Sequence, residues 1–236
     1  MKNEYNRIII KISGEALSGG TGHSIDDNVL AFVGKQIKAV IDRGVQVGII
    51  VGGGNFWRGK GASEIERSTA DQMGMLATIM NALALKDAFI RMGMDTVVQT
   101  SIDMLRIAEP YNYTTATKHL SEGKVVIFAG GTGCPYFSTD TGAALKAAEV
   151  HAEVLLLAKN VDGVYDSDPK KNPNAKKYDE ITYQQILNDG LNALDITATA
   201  MCMENKIPVL VFALKEENSI VDAVCGTGKF SGTVIH

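Results

Sequence analysis

Apolar positions along the chain fall into two kinds of segment that alternate. Short runs that are apolar at nearly every position predict strands buried on both faces: Arg7–Ile12, Val45–Val51, and the stretches DTVVQT, KVVIFA, AEVLLLA and IPVLVF, with GTVI as a final edge strand. Between them the apolar positions recur at helical spacing. Val29, Leu30, Val33, Ile37, Val40 and Ile41 mark one helix, with Asp26 or Asp27 as its cap and Gly44 as its stop. Ser68 or Thr69 is expected to open a long helix carrying Met73, Leu76, Met80, Leu83 and Ala84 on one side and ending at Gly93. Thr114 or Thr115 opens a shorter one that stops at Gly123, and Thr139 or Asp140 opens the next. Asp195 caps a helix through ITATAMCMEN, and NSIVDAV forms a last short one. This alternation predicts a parallel, doubly wound α/β sheet with no internal repeat or linker. The longest stretch without regular periodicity is Lys159–Glu180, rich in Asp, Pro and Asn. A long loop of that kind in a compact domain is usually functional.

Composition narrows the classes of function. The chain has 236 residues, 45% hydrophobic and 21% charged, enough to bury a full core. A net charge of −4 gives no basic field for a nucleic-acid partner, so any anion must be held by local charge and backbone N–H groups. Cys134, Cys202 and Cys225 are odd in number, far apart and without a C-x-x-C pair, which indicates neither a disulfide framework nor a zinc site and fits a reducing cytoplasm. The apolar run Ile8–Ile10 is too short for a signal peptide and is cut by Lys11. No uninterrupted apolar stretch approaches transmembrane length, so no membrane partner is expected. The four histidines lie near no Ser or Cys nucleophile pattern, leaving a hydrolase triad unsupported. Asp166 and Asp168 fit the first two ligands of a calcium loop, but Lys171 and Lys177 occupy its glycine and glutamate positions, which excludes an EF-hand.

Candidate chemistry sits at strand ends, where open α/β sheets bind ligands. Three strand ends carry glycine-rich turns: KISGEAL, GGGNFWRGKG and AGGTGCPYFSTD. The second reads like a P-loop from Gly54, except that Gly61 stands where a Ser or Thr should hold magnesium. One such turn is explained by glycine's permissive backbone alone. Three together, two with a cation, suit phosphate groups approached by backbone N–H donors. Lys11 ends an apolar strand directly before Ser13-Gly14; it is either a lysine reaching from a strand end to water or an ammonium placed against a transferring phosphoryl group. Arg58 is either a solvated loop arginine or a second such cation. Asp71 either complements its helix N-terminus or accepts hydrogen bonds from ribose hydroxyls. Asp140 either caps its helix, or orients Lys11, or holds a metal-bound water. Thr132, Ser138, Thr139 and the backbone around them suit the edge of a nucleobase. Tyr165 offers a ring for stacking, with Asp162 and Asp168 as polar contacts. The methionines Met73, Met75 and Met80 fit core or a subunit contact better than a cofactor box.

KISGEAL, VGGGNFWRG, DQMGMLATIMNALALKDA, GGTGCPYFSTD and KNVDGVYDSDP, in this order and spacing, resemble the bacterial UMP kinases of the amino-acid kinase superfamily, from Lys11 to the C-terminus. The resemblance implies one domain over residues 1–236, a three-layer α/β/α sandwich with a mainly parallel central sheet. It implies reversible transfer of the ATP γ-phosphate to UMP with Mg²⁺, in pyrimidine nucleotide biosynthesis, with Lys11, Arg58 and Asp140 as catalytic groups. By the same pattern Lys11, Ile12, Ser13, Gly14, Gly54, Arg58, Asn160, Tyr165 and Asp168 contact ATP. Gly53, Asp71, Thr132, Gly133, Cys134, Pro135, Tyr136, Phe137, Ser138 and Thr139 contact UMP. Relatives of this kind are homohexamers activated by GTP and inhibited by UTP, and the GTP-responsive segment corresponds to Gly19, Gly20, Thr21, Gly22, His23 and Ser24. Two departures stand out. Ser24 occupies a position where many relatives have glycine, and between LLLA and VDGVY only Lys159 and Asn160 remain, of which Asn160 is the expected nucleotide contact.

Overall fold

The computed structural model describes residues 3–19, 24–57, 64–228 and 230–236. Its elements run β1 Arg7–Ile12, α1 Gly14–Leu17, α2 Asp27–Ile41, β2 Gln46–Val51, α3 Arg67–Arg91, β3 Thr96–Thr100, β4 Glu109–Pro110, α4 Tyr113–Ser121, β5 Val125–Ala129, α5 Thr139–Glu149, β6 Val154–Lys159, β7 Val164–Tyr165, β8 Lys177–Tyr178, β9 Glu180–Ile181, α6 Tyr183–Asp189, α7 Ile196–Glu204, β10 Val209–Ala213, α8 Ser219–Val224 and β11 Thr233–Ile235. The central sheet has the order β4-β3-β5-β2-β1-β6-β10-β11-β9. Every pairing in it is parallel except β10 with β11. β7 and β8 form a separate small antiparallel hairpin inside the stretch expected to be irregular. Strands β5, β2 and β1 are neighbours, so the three glycine-rich turns emerge side by side at one end of the sheet.

The strands alternate between two cores. Ile8, Ile10 and Ile12 of β1 pack with residues of α2, α3 and α8, while Ile9 packs on the other face with residues of α4, α5 and α7. β6 divides the same way: Val154, Leu156 and Ala158 join the first core, Leu155 and Leu157 the second. Successive side chains on a strand point to opposite faces. Lys11 therefore shares the face of Ile9, and Lys159 the face of Leu155 and Leu157. That face is covered by α5, α6 and α7.

Several boundaries differ from the sequence reading for identifiable reasons. α3 begins at Arg67, with the Glu66 carboxylate accepting from Thr69 N at 3.1 Å. α4 begins at Tyr113 because Asn112 Oδ1 accepts from Thr114 and Thr115 N–H groups at 3.0 and 3.1 Å. In both cases the expected threonine is capped instead of capping. β11 is not an edge strand, since β9 pairs on its outer side. On α3 the buried positions include Met75, Thr78, Ile79, Ala82, Leu85 and Phe89; of the stripe picked from sequence, Leu83 and Ala84 pack against the core, whereas Leu76 and Met80 are 48% and 47% exposed and face outward. α3 is 25 residues long and apolar enough for a membrane span by composition alone, but half of its most apolar stretch is buried inside the protein.

The β1 and β2 turns are locked together. A Cβ on Gly14 would come within 2.5 Å of Asn55 Oδ1, 2.7 Å of Gly54 N and 2.8 Å of Gly52 O. The buried amides of Asn55 and Asn81 fix this approach. Asn81 Nδ2 donates to Gly52 O and to Asn55 Oδ1, both at 2.7 Å, and Asn55 Nδ2 donates to Asn81 Oδ1 at 2.9 Å and to Ser24 O at 2.7 Å. Gly14→Ala is expected to lower stability by about 1–3 kcal/mol through overpacking, read as a fall in thermal midpoint. An unchanged midpoint would mean the turns separate without cost.

Candidate active site

At the end of β1, Lys11 Nζ lies 2.9 Å from Asp140 Oδ1, with the two side chains only 13% and 18% exposed. Asp140 is the second residue of α5, whose N-terminus faces β1. Its Oδ1 is buried and accepts no aligned hydrogen bond among the described residues, so the contact with Lys11 is mainly Coulombic. Lys159, on the same face of the adjacent strand, donates to Ala193 O. Burial pushes its ammonium pKa down, Asp140 pulls it back up, Lys11 lowers it again, and the net shift is downward. Two lysines and one carboxylate thus share one corner of the sheet, a positive excess suited to a polyanion.

A cleft of about 940 Å³ opens beside this corner. Gly53, Gly54, Asp71, Thr132, Tyr136, Phe137, Ser138 and Thr139 line one part of it, and Leu191, Asn192, Leu194, Asp195 and Thr197 another. Asp71 Oδ2 accepts from Arg67 Nε at 2.7 Å and from the Tyr136 N–H at 2.8 Å. Partial burial works to raise its pKa, but the Tyr136 N–H and Arg67 outweigh it and hold the carboxyl below its usual value. Tyr136 has a φ of 72°, and Arg67 lies 5.4 Å from its ring centroid. A left-handed backbone at a large aromatic residue is strain of the kind that clusters at ligand sites. Gly53 backs directly onto α3, where a Cβ would meet Gly74 O at 2.6 Å.

Asp195 ties the two halves of the cleft together. It caps α7 through Ala198 N at 2.9 Å, accepts from Thr141 Oγ1 at 3.0 Å, and accepts from Ser138 Oγ, which itself caps α5. Burial raises its pKa, but the Ser138 hydroxyl, the Ala198 N–H and the Thr141 hydroxyl lower it further, leaving it depressed. A second cavity of about 420 Å³ is lined by Lys159, Tyr165, Asp168 and Pro169. Gly190, Leu191 and Asn192 line both cavities and form their shared wall.

The cleft, the smaller cavity that shares its 190–192 lining and the lysine–carboxylate pair between glycine turns lie together at one end of the sheet. The profile of the amino acid kinase family matches residues 6–213. The chain belongs to the amino acid kinase family. Among solved structures it is similar to the UMP kinase from Bacillus anthracis, at 36% identity and a TM-score of 0.94, covering 98% of this chain and 96% of that one. It is also similar to the UMP kinase from Ureaplasma parvum, at 41% identity and a TM-score of 0.92, covering 98% of each chain. The uridylate kinase from Archaeoglobus fulgidus matches at 29% identity and a TM-score of 0.73, over 97% of this chain and 99% of that one.

Within this amino acid kinase fold the candidate residues separate into groups. Lys11, Gly14, Gly53 and Gly54 cluster at the β1 and β2 turns. Ser13 caps α1, its Oγ accepting from Ala16 N at 3.1 Å. The Ile12 side chain is buried in the core, and its carbonyl accepts from Gly52 N at 2.9 Å. Gly133, Cys134 and Pro135 belong to the same loop as the cleft residues but are not among its lining. Asn160 is exposed and lines neither cavity, whereas Lys159 faces the second, because strand alternation turns consecutive residues to opposite sides. Gly19 and Ser24 both have left-handed backbones, with φ of 63° and 69°, which accounts for glycine being suited to the Ser24 position. Arg58, Gly20, Thr21, Gly22 and His23 lie outside the described residues, as do Lys60 and Gly61 of the P-loop-like stretch. Sequence reasoning saw Asp195 only as a cap. Its spacing to Ser138 and Thr141 carries no local signal.

Asp195→Asn is expected to lower stability by about 1–3 kcal/mol at pH 7. The native carboxyl has a depressed pKa, so its contribution is present above the unfolded value and is lost as pH falls through the folded one. The gap between variant and wild type in urea unfolding should therefore close on acidification. A gap that stays constant from pH 7 to pH 3 would contradict the charged role.

Proposed function

We propose that this chain is a UMP kinase that transfers the γ-phosphoryl group of ATP to UMP, reversibly, giving ADP and UDP for pyrimidine nucleotide biosynthesis. The observation that carries the reading is the Lys11–Asp140 pair seated among three glycine turns and beside two cavities. The identity of 36% and 41% to two UMP kinases over 98% of the chain supports UMP as the acceptor. The larger cleft, with Gly53, Asp71 and the 132–139 loop, is the proposed UMP side. Tyr165 and Asp168 on the smaller cavity, with Gly54 and the Lys11–Gly14 turn, belong to the proposed ATP side.

In the proposed mechanism the acceptor is a phosphate monoester, already anionic at neutral pH, so it needs little general-base help. Transfer is direct and in line, without a covalent enzyme intermediate. The work of the protein is electrostatic: two polyanions repel, and Lys11, Arg58 and backbone N–H groups offset that repulsion where charge shifts in the transition state. Asp140 orients the Lys11 ammonium and keeps it from folding back into the strand layer. At the site the carboxylate present is that of Asp140, an oxygen donor of the kind that suits Mg²⁺ carried on nucleotide phosphates with most of its waters. Asp140 would hold such an ion through water. When bound, Mg²⁺ neutralises phosphate charge and fixes phosphate geometry.

The remaining parts of the reading are a single cytoplasmic domain over residues 1–236 that assembles as a homohexamer, with GTP as activator through residues 19–24 and UTP as inhibitor. The outward apolar stripe of α3, with Leu76, Met80 and Ile90 each about half exposed, supports a subunit contact there.

An assay coupling ADP formation to a panel of acceptors tests the function: UMP should be the preferred acceptor over other nucleoside monophosphates, aspartate, glutamate, carbamate and isopentenyl phosphate. Preference for any other acceptor, or no transfer, would overturn it. Lys11→Ala should cut kcat by about 100-fold or more through loss of one transition-state charge contact. A near-normal kcat would remove Lys11 from the catalytic role.

A further inference from the structure

We propose that Arg67 is a positioning residue of the acceptor side: it holds Asp71 so that one carboxylate oxygen stays available to the ribose hydroxyls of the incoming nucleotide, and so makes the site selective for a ribonucleotide. The inference rests on the reading of the larger cleft as the UMP side. Structurally it rests on three contacts that meet at one point. Arg67 Nε donates to Asp71 Oδ2 at 2.7 Å, and the Tyr136 N–H donates to the same oxygen at 2.8 Å. The Arg67 guanidinium carbon lies 5.4 Å from the centroid of the Tyr136 ring. Both bonds to Asp71 therefore fall on Oδ2, and Oδ1 takes none from the described residues. Asp71, Arg67 and Tyr136 all line the cleft.

Helix stability does not explain where Arg67 stands. It is the first residue of α3, whose first turn carries no acidic side chain. A cation there opposes the helix dipole, and a cation at i with an anion at i+4 is the less favourable order for such a pair. Both carboxylate oxygens of the adjacent cap, Glu66, are taken up by the Ser68 hydroxyl and the Thr69 N–H. Arg67 pairs instead with Asp71, one turn further on, and the two side chains are 45% and 17% exposed. An ion pair this open to water adds little stability. A local rule broken without gain to the helix is expected at functional sites. What Arg67 supplies is geometry. Burial disfavours the ionised form of Asp71, and the Tyr136 N–H and Arg67 restore it. A carboxylate gripped at one oxygen presents the other in a fixed direction. The Tyr136 ring beneath the guanidinium ties that grip to the left-handed backbone of the 132–139 loop. Without Arg67 the carboxylate keeps one tether, the Tyr136 N–H, and can rotate about it.

The test compares wild type with Arg67→Met, which removes the charge and the donor but keeps a good helix former, and Arg67→Lys, which keeps a cation. Calorimetry measures binding of UMP, of uridine and of 2′,3′-dideoxy-UMP, which lacks both ribose hydroxyls. Arg67→Met should weaken UMP and uridine alike by about 10-fold, as for loss of one charge-assisted hydrogen bond, and change dideoxy-UMP by no more than about 2-fold. KM for UMP should rise by a similar factor, with kcat and KM for ATP each within about 3-fold. Arg67→Lys should recover most of the UMP affinity. The thermal midpoint of Arg67→Met should not fall, because a cation leaves the helix N-terminus. Equal losses for all three ligands would make Arg67 a structural residue. Losses for UMP and dideoxy-UMP but not for uridine would make it a direct phosphate contact. Either result overturns the proposal, as do unchanged affinities throughout. A wild type that binds UMP no better than dideoxy-UMP also overturns it, while the UMP kinase reading stands. If another nucleoside monophosphate is the preferred acceptor, the UMP reading fails, and the same ribose-against-dideoxyribose comparison on that nucleotide decides the role of Arg67. Binding of no nucleoside monophosphate would end both.

Discussion

The site depends first on how closely two backbone turns approach each other. Gly14 fits against Gly52 and Gly54 only because it lacks a side chain, and the Asn55–Asn81 amide pair holds the turns in that position from beneath. Both amides are buried, and each hydrogen-bonds the other and a backbone carbonyl, so they are satisfied only in this arrangement. A buried polar network that is fully paired in one geometry specifies that geometry strongly. It also carries the constraint outward, since Asn55 reaches Ser24 and Asn81 lies in the middle of α3. The glycines therefore have a packing role that precedes any ligand. The backbone N–H groups beside them are positioned by the fold itself.

Strand alternation supplies the second constraint. With Ile8, Ile10 and Ile12 committed to one core, Lys11 is forced to the α5 face, and there Asp140 meets it. A nearly buried ion pair of this kind contributes little net stability, because desolvation of both partners offsets their attraction. Its effect is orientation: Asp140 holds the Lys11 ammonium in one place at the end of β1. The same reasoning explains the strained Tyr136 backbone, which Asp71 holds by accepting its N–H.

Much of this was legible in the sequence. Strands buried on both faces announce themselves as continuous apolar runs: β1, β2, β3 and β5 fall within the predicted stretches, and β6 and β10 each run one residue past theirs, to Lys159 and Ala213. The parallel α/β class and the three glycine turns followed directly. Elements with little apolar content did not. β4, β7, β8 and β9 are two residues each, and α6 buries only Tyr183 and Ile186, too few positions to show a period. The orientation of α3 was ambiguous because apolar residues lie on nearly all its sides. Around the site, Lys11, Asp71 and Asp140 were recognisable as candidates from their places beside turns. Which of Lys159 and Asn160 turns toward the second cavity was not, since parity depends on the strand continuing through Lys159. The tie from Asp195 to Ser138 and Thr141 spans more than fifty residues and exists only after folding.

The strip Gly190–Asn192 is the boundary of two compartments at once. A partition of this kind has one set of conformational degrees of freedom, not two. A change of shape in this strip alters the lining of both cavities together. The shared strip makes the shapes of the two cavities a joint property of the fold.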